Sequence, residues 1–378
     1  MGGYDAIVVG GGMAGVSIAY ELAGQARVLL LEQERQLAYH TTGRSAAMYL
    51  QSYGNATVRA LTVASRGDFD SLSALVDGTQ LLIPKLLLWI ADAGGAEHLE
   101  EMLSSDSPMR AVSPAAALQL CPALRPEKLV AAAQDVSAME IDVHAVHNAY
   151  VRGFRERGGV IRAESAAGRL ARRHDQWLVE AGDFRAEAPI VVNASGAWGD
   201  VTAGRAGVKP IGLRPLRRTI FTSPVTGWTG LDAWPFISDA GDRFYFKGEH
   251  DQVMVSPADE TPDVPRDATP AEVDIARAIE VVNEQTRLRL RSVRSSWAGL
   301  RTFAADRSPV VGEAADAPGF FWFVGQGGYG IQMGPALARA GAALALGRAL
   351  PADVRAGGVT AADLAPSRPG VSRRPRTA

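Results

Sequence analysis

The sequence predicts an α/β fold in two parts: one built on a parallel sheet, and an α+β part built on a mixed or antiparallel sheet. Three observations lead there. Residues 5–32, DAIVVGGGMAGVSIAYELAGQARVLLLE, read as strand, glycine turn, helix, strand. Strands running into small-residue turns recur at 190–198 and 320–331, so the parallel sheet is assembled from separate stretches. Between them, residues 213–256 switch to short alternating strands joined by turns, the pattern of an antiparallel sheet. At 378 residues the chain exceeds one ordinary core, which favours two domains.

In the first stretch, Ala6 to Val9 form a short apolar run suited to a parallel strand buried on both faces. Gly10, Gly12 and Gly15 supply G-x-G-x-x-G. The first permits a tight turn, the second lets a pyrophosphate approach the backbone, and the third lets the helix pack on the sheet. The helix opens near Gly12, so its free N–H groups and positive dipole end face phosphates. Ala14, Ile18, Ala19 and Leu22 give it an apolar stripe. Glu32 lies 22 positions after Gly10 (32 − 10), where an acid accepts hydrogen bonds from an adenosine ribose and repels a 2′-phosphate. This Rossmann-like unit is expected to bind a dinucleotide, with NADP disfavoured; the alternative is a glycine-rich turn in an ordinary parallel sheet. The motif alone does not choose between NAD and FAD.

Composition narrows the class. A hydrophobic fraction of 47% and a charged fraction of 21% describe a soluble globular protein. A net charge of −2 offers no basic field for nucleic acid. One cysteine, Cys121, excludes an intramolecular disulfide framework, and its apolar neighbours LQLCPAL suit an inert buried thiol. No metal site is expected. His144 and His147 are three apart, but their surroundings offer no further ligands, and exposed or capping histidines are the simpler reading. The chain does not open on a charged n-region and an apolar h-region, and the longest apolar candidate, QLLIPKLLLWIA, contains Lys85 and is too short to span a membrane. Cytoplasmic residence without a transmembrane segment is the expectation. Residues 366–378, rich in Pro, Arg and Ser, read as a disordered tail whose basic charge could touch an anionic membrane surface.

Along the chain, HTTGRSAA after Glu32 could hold a ligand by its backbone N–H groups, or be a plain loop with Arg44 in a surface ion pair. Residues 57–75 read as a helix, 81–90 as an apolar strand, 96–103 as an acidic amphipathic helix and 129–133 as a strand. Ser113-Pro114 cap a helix through Leu120. Asp142 caps a helix ending at Gly158-Gly159, with Val146, Ala149, Tyr150 and Phe154 on its core face. Residues 160–161 resume the parallel sheet, 169–188 form a meander, and 190–193 run into Ala194-Ser195-Gly196-Ala197-Trp198. Thr269-Pro270 open a helix to about Gln285, with Val273, Ala276, Ile279 and Val282 on one side. Residues 293–300 are a strand ending in Arg301, and 320–324 lead into a glycine turn that opens a long apolar helix. The expected boundaries are 1–45, 142–205 and 298–365 for the nucleotide-binding domain, and 46–141 and 206–297 for the second domain.

Together, VVGGGMAGVS, HTTGRSAA, VVNASGAW, WAGLRTF and VGQGGYGIQ resemble the FAD-dependent D-amino acid oxidase superfamily over roughly residues 4–365, most of all its D-arginine dehydrogenase branch. The resemblance implies FAD and oxidation of an amine at Cα. Cys121 lies outside the C-terminal motif where some relatives attach flavin, so non-covalent FAD is expected. The resemblance assigns cofactor contact to Gly10, Gly12, Met13, Ala14, Gly15, Glu32 and Gln33 of the first unit. It adds Thr42, Gly43, Arg44, Ser45, Ala46 and Ala47, then Ser195, Gly196 and Trp198, and finally Gly327, Gly328, Tyr329, Gly330 and Ile331 near the pyrimidine end of the flavin. For the substrate it implies Arg301 as a fork for the carboxylate, with the Tyr245 hydroxyl on the same group. Arg218 joins the site, Tyr53 lies over the substrate, and Gly328 offers a carbonyl to its amine. Taken singly, each tyrosine could equally be a core aromatic and each arginine a surface pair.

The chain departs from that branch where an arginine side chain would be met. Leu87 stands in place of a glutamate, Met48 and Leu50 in place of a histidine and a threonine, and Phe236 in place of a methionine. An apolar wall cannot pair a buried cation. The expected substrate is therefore a D-amino acid with an apolar or aromatic side chain, such as D-leucine, D-methionine or D-phenylalanine, rather than D-arginine or D-lysine. The implied reaction is oxidative deamination: hydride passes from Cα to flavin N5, and the imino acid hydrolyses to a 2-oxo acid and ammonia. The electron acceptor, a quinone, an electron carrier or O2, is left open by these residues. A glycine- or sarcosine-type amine oxidase, a 2-hydroxy acid dehydrogenase and a non-catalytic flavin-binding subunit are the alternatives; the carboxylate-binding residues argue against the last.

Overall fold

The computed structural model describes residues 3–104 and 108–372. A six-stranded sheet runs in the order Val310–Ala314, Ala317–Val324, Ile190–Asn193, Ala6–Val9, Val28–Leu31, Val160–Arg162. It is parallel except for the edge strand Val310–Ala314. Ala6–Val9 and Val28–Leu31 are buried along their whole length, as a sheet covered on both faces requires. On one face lie the helices Met13–Ala23, Val143–Glu156 and Gly334–Ala345. The other face is covered by the meander Arg169–Arg173, Gln176–Ala181, Phe184–Ala188. Asp142 caps Val143–Glu156 by accepting from Ala145 N at 2.8 Å, and the four expected core residues of that helix are buried. A Cβ on Gly15 would collide with Gly10 O, so only glycine lets the first helix lie this close to its strand.

The second sheet has nine strands. Its order is Thr261–Pro262, Arg214–Pro224, Gln252–Ser256, Tyr245–Glu249, Phe236–Asp239, Leu87–Ala91, Ala131–Asp135, Arg110–Val112, with Ser295–Phe303 also paired along Arg214–Pro224. It is mixed, because Phe236–Asp239 and Leu87–Ala91 run parallel within an otherwise antiparallel sheet. Alternation sorts its two faces. Leu88, Ile90, Phe221, Ile237, Phe246 and Val255 pack on the helices Pro114–Leu120 and Glu272–Gln285. Leu87, Trp89, Ile220, Phe236, Tyr245 and Met254 occupy the opposite face, and this face supplies one wall of the site described below. Cys121 lies fully buried on the helix side, and burial pushes its thiol up to about 12.

The structure corrects several expectations. The helix expected over 57–75 is two helices, Ala56–Ala64 and Arg66–Ser73, joined at Ser65. The Ser65 hydroxyl returns to Leu61 O and accepts from Ala336 N, a local bond that competes with the helix ladder. The strand expected over 81–90 is divided between two sheets, Leu82–Pro84 and Leu87–Ala91, with a break after Pro84, which has no N–H to continue a ladder. Val273 is 64% exposed and Ala276 is exposed as well; the buried positions of the helix are Ala278, Val282 and Gln285, supported by Ile275 and Ile279. Ser295–Phe303 continues unbroken across the expected boundary at 298. His147 is buried rather than exposed. Residues 366–372 are held against the fold rather than disordered: Arg368 pairs with Asp306 at 2.7 Å and Val371 is buried. Residues 373–378 of that expected tail lie outside the described residues. Among the described residues no helix is long and apolar enough to cross a membrane, and no group of three His, Cys, Asp or Glu side chains could hold a metal.

Candidate active site

The carboxyl ends of the parallel strands open into a cleft whose empty space, counting solvent at its mouth, is about 1460 Å³. Three turns line it. At the first, Gly10 takes φ +112°, and a Cβ there would lie 2.6 Å from Ala194 O. A Cβ on Gly12 would lie 3.2 Å from Thr42 Oγ1, which itself accepts from Met13 N at 3.0 Å. Glu32 is fixed at the edge: Oε2 accepts from Gly11 N at 2.6 Å and Oε1 from Glu34 N at 2.9 Å. Its remaining lone pairs stay available to a ribose. His147 Nε2 meets Gly11 O at 3.0 Å, and burial holds its pKa below the ordinary histidine value, which favours the neutral ring. At the second turn, Ser195 donates to Asn193 Oδ1 at 2.7 Å and the Trp198 ring meets His40 at 4.6 Å. At the third, Gly327 N donates to Thr302 O at 2.8 Å.

Most of the expected cofactor residues line this cleft: Gly10, Gly12, Met13, Ala14, Glu32, Gln33, Thr42, Arg44, Ser45, Ser195, Gly196, Trp198, Gly327, Gly328, Gly330 and Ile331. Five do not. Gly15 and Gly43 shape their turns from behind; a Cβ on Gly43 would lie 2.6 Å from Ala38 O. Tyr329 is buried edge-on against Tyr53, centroids 5.0 Å apart. Ala46 and Ala47 line the neighbouring cavity instead. Arg44 does reach the cleft, but its guanidinium is held by Ala298 O, Ala268 O and Asp267, bracing the turn against Ser295–Phe303. Sequence reading missed Ser165, Thr202, Arg205, Thr302 and Gln326. The Thr302 hydroxyl and Gln326 Nε2 are buried with no hydrogen-bond partner. Orphaned polar atoms, glycine-only approaches and a fixed acid together fit a bound dinucleotide with polar edges.

A second cavity of about 750 Å³ adjoins the first. Ser45, Arg218, Arg301, Gly328 and Ile331 line both. All nine expected substrate residues meet there: Tyr53, Arg218, Tyr245, Arg301 and Gly328 with Met48, Leu50, Leu87 and Phe236. Arg301 pairs through its backbone with Leu216, but its guanidinium makes no hydrogen bond or ion pair among the described residues. Burial works against its charge, but Tyr245, Tyr53 and Glu260 hold its pKa above the ordinary guanidinium range. The Tyr245 hydroxyl is buried without a partner, and its ring stacks on Phe236 at 5.3 Å.

Arg218 lines the cavity but also has protein partners. Its Nε donates to Asp259 O at 2.8 Å, and Nη2 meets Glu260 at 3.3 Å. Burial alone would raise the Glu260 carboxyl, but Arg307 and Arg218 hold it below the ordinary range. Arg218 therefore spends part of its fork on protein partners while Arg301 keeps all of its own. Trp89, Ser238 and Asp242 also line this cavity and were not singled out from sequence.

A long dinucleotide cleft that meets a smaller cavity of mixed polar and apolar lining at an unpaired arginine defines a nucleotide-cofactor oxidoreductase. The comparison with protein families makes this particular: the model of the FAD dependent oxidoreductase family, DAO, matches residues 5–344, and the chain belongs to that family. FAD is accordingly its cofactor. The chain is 25% identical over 397 residues to FAD-dependent oxidoreductase domain-containing protein 1 of Bos taurus, covering 90% of this chain and 81% of that protein. In structure it is similar to glycine oxidase from Geobacillus kaustophilus, with TM-score 0.80, 17% identity, and 92% and 96% of the two chains covered. It is also similar to L-proline dehydrogenase from P. horikoshii, with TM-score 0.79, 19% identity and coverage of 92% and 95%. L-amino acid deaminase from Proteus vulgaris aligns with TM-score 0.77, 15% identity and 97% coverage of both chains. These likenesses establish the shared mixed α/β fold.

Proposed function

We propose that this protein oxidatively deaminates D-amino acids with apolar or aromatic side chains. The observation that carries the reading is Arg301, a guanidinium with no protein partner where the two cavities meet, next to a cavity walled by Leu87, Leu50, Phe236 and Met48. Bound FAD would supply the two-electron acceptor for the hydride leaving Cα. The Arg301 fork holds the substrate carboxylate by two parallel hydrogen bonds, and the Tyr245 hydroxyl donates a third. Gly328 O accepts from the amine. With both ends fixed, Cα–H has one orientation, and that positioning is the protein's main contribution to rate. The apolar wall takes the side chain and gives a cationic one no buried acid to pair with.

Glycine oxidase, L-proline dehydrogenase and L-amino acid deaminase, whose fold this chain shares, act by name on amino acids. That supports an amino acid as substrate. The test is anaerobic addition of D-leucine, D-methionine or D-phenylalanine to the FAD-loaded protein, following the flavin absorbance bands and ammonia. Bleaching with ammonia release is expected. Bleaching by glycine, sarcosine or a 2-hydroxy acid alone would replace this reading with one of those activities.

A further inference from the structure

Ser238 stands in register with Trp89 on one neighbouring strand and with Tyr245 on the other. Registered residues share a face, so indole, hydroxyl and phenol form a row across one wall of the second cavity, and all three line it. Adjacent strands lie about 4.8 Å apart, so the row extends roughly 10 Å from the phenol that would meet the carboxylate. Trp89 is 6% exposed, and its Nε1–H is buried with no hydrogen-bond partner. An indole N–H is a donor only. Left unmade, such a bond costs about 1–3 kcal/mol, and native proteins seldom leave one. Ser238, 9% exposed, makes no side-chain hydrogen bond among the described residues. Leu87 and Phe236, in register with each other one step along the same two strands, offer neither group a partner.

We infer that Trp89 and Ser238 form a polar subsite for the end of the substrate's side chain, and that this end is an uncharged oxygen acceptor such as a phenol or a side-chain amide. The inference rests on the proposed function for the amino-acid part of the ligand and extends its side-chain range to neutral polar ends. A neutral oxygen accepts from the indole N–H and, in a phenol or amide, can also donate to the Ser238 hydroxyl. A carboxylate would be desolvated against Leu87 and Phe236, and Arg218, the other cation on the lining, already donates to Asp259 O and Glu260. A cationic end would find Asp242 as the one acid on the lining, and that residue is exposed to solvent.

The test uses matched pairs on the FAD-loaded protein. The kcat/KM of D-tyrosine is compared with D-phenylalanine, and of D-glutamine with D-norleucine. Binding of 3-(4-hydroxyphenyl)propionate is compared with 3-phenylpropionate by calorimetry, which needs no turnover. The oxygen-bearing member is expected to win by roughly three- to tenfold, the size of one neutral hydrogen bond. Trp89→Phe should bring these ratios close to one, and Ser238→Ala should lower them in part; ratios cancel any general loss of packing. Ratios at or below one in the unaltered protein, ratios untouched by Trp89→Phe, or a preference for D-glutamate or D-arginine would overturn the inference. If no amino acid bleaches the flavin, the proposed reaction fails, and the propionate pair still decides the subsite.

Discussion

Gly328 and Arg301 are packed so closely that a Cβ on the glycine would lie 3.0 Å from Arg301 Nη1 and 3.2 Å from its Cζ. The last glycine turn and the end of strand Ser295–Phe303 are therefore one device: the turn is bare at Gly328 so that the guanidinium can lie against it. Gly328→Ala should push the fork by a few tenths of an ångström and lower kcat/KM by roughly tenfold, mostly through KM, since misplacing a positioning group costs rate. Steady-state kinetics checks this. An unchanged KM would separate the turn from substrate binding.

Replacing Arg301 itself goes further. Arg301→Ala should lower kcat/KM by about 10²–10³, the effect of removing one partner of a buried, hydrogen-bonded charge pair, with KM raised and kcat reduced. Arg301→Lys should recover little, because an ammonium does not present two parallel donors. Flavin content, read from the absorbance ratio of the purified variants, should be unchanged; loss of flavin would show a structural role instead.

Leu87 is fully buried in the apolar wall. Leu87→Glu should reverse the side-chain preference, raising kcat/KM for D-arginine relative to D-leucine by at least tenfold, because a buried cation then has an acid to pair with. The glutamate should also destabilise the ligand-free protein by about 1–3 kcal/mol, as an unpaired polar group in an apolar site does. Competition assays with the two amino acids measure the first effect and denaturant titration the second. An unaltered preference would mean that the side chain lies elsewhere.

Glu21, on the first helix, has its carboxyl pushed up to about 7, chiefly by burial and with Asp68 adding to it, against the pull of Arg157 and Arg339. In the unfolded chain the same group titrates near 4.5. Between these values the folded state holds a proton that the unfolded state has released, so this group's contribution to stability falls as pH rises from about 4.5 to 7 and is flat above. The loss amounts to at most about 3 kcal/mol. Glu21→Gln should flatten that slope in urea titrations at pH 5 and pH 7.5; an identical slope in both proteins would mean that the carboxyl titrates normally.

Much of this was legible in the residues, for physical reasons that also explain what was not. The first glycine turn carries its own signature, since Gly10 takes a positive φ, Gly15 lies against Gly10 O within the same short stretch, and the acid at Glu32 follows at a fixed distance. Asp142 caps its helix by a bond to a residue three positions on. Long-range partners leave no such local mark. Arg44 is engaged by Asp267 and Arg218 by Glu260, and nothing near either arginine announces those acids. Trp89 and Ser238 become neighbours only because Leu87–Ala91 and Phe236–Asp239 pair in parallel inside an antiparallel sheet, a register that periodicity cannot supply. The order of residues 366–372 has the same origin, since Arg368 and Val371 are held by residues far away in the chain.

A crystal structure of the FAD-loaded protein with a non-oxidisable carboxylate, 3-phenylpropionate, bound would show whether Arg301 anchors the substrate. The carboxylate is expected on the Arg301 fork with two N–O distances of about 2.7–2.9 Å, the Tyr245 hydroxyl on the same group and the phenyl ring against Leu87 and Phe236. A carboxylate bound away from Arg301, or an Arg301 guanidinium turned out of both cavities, would contradict that anchoring role.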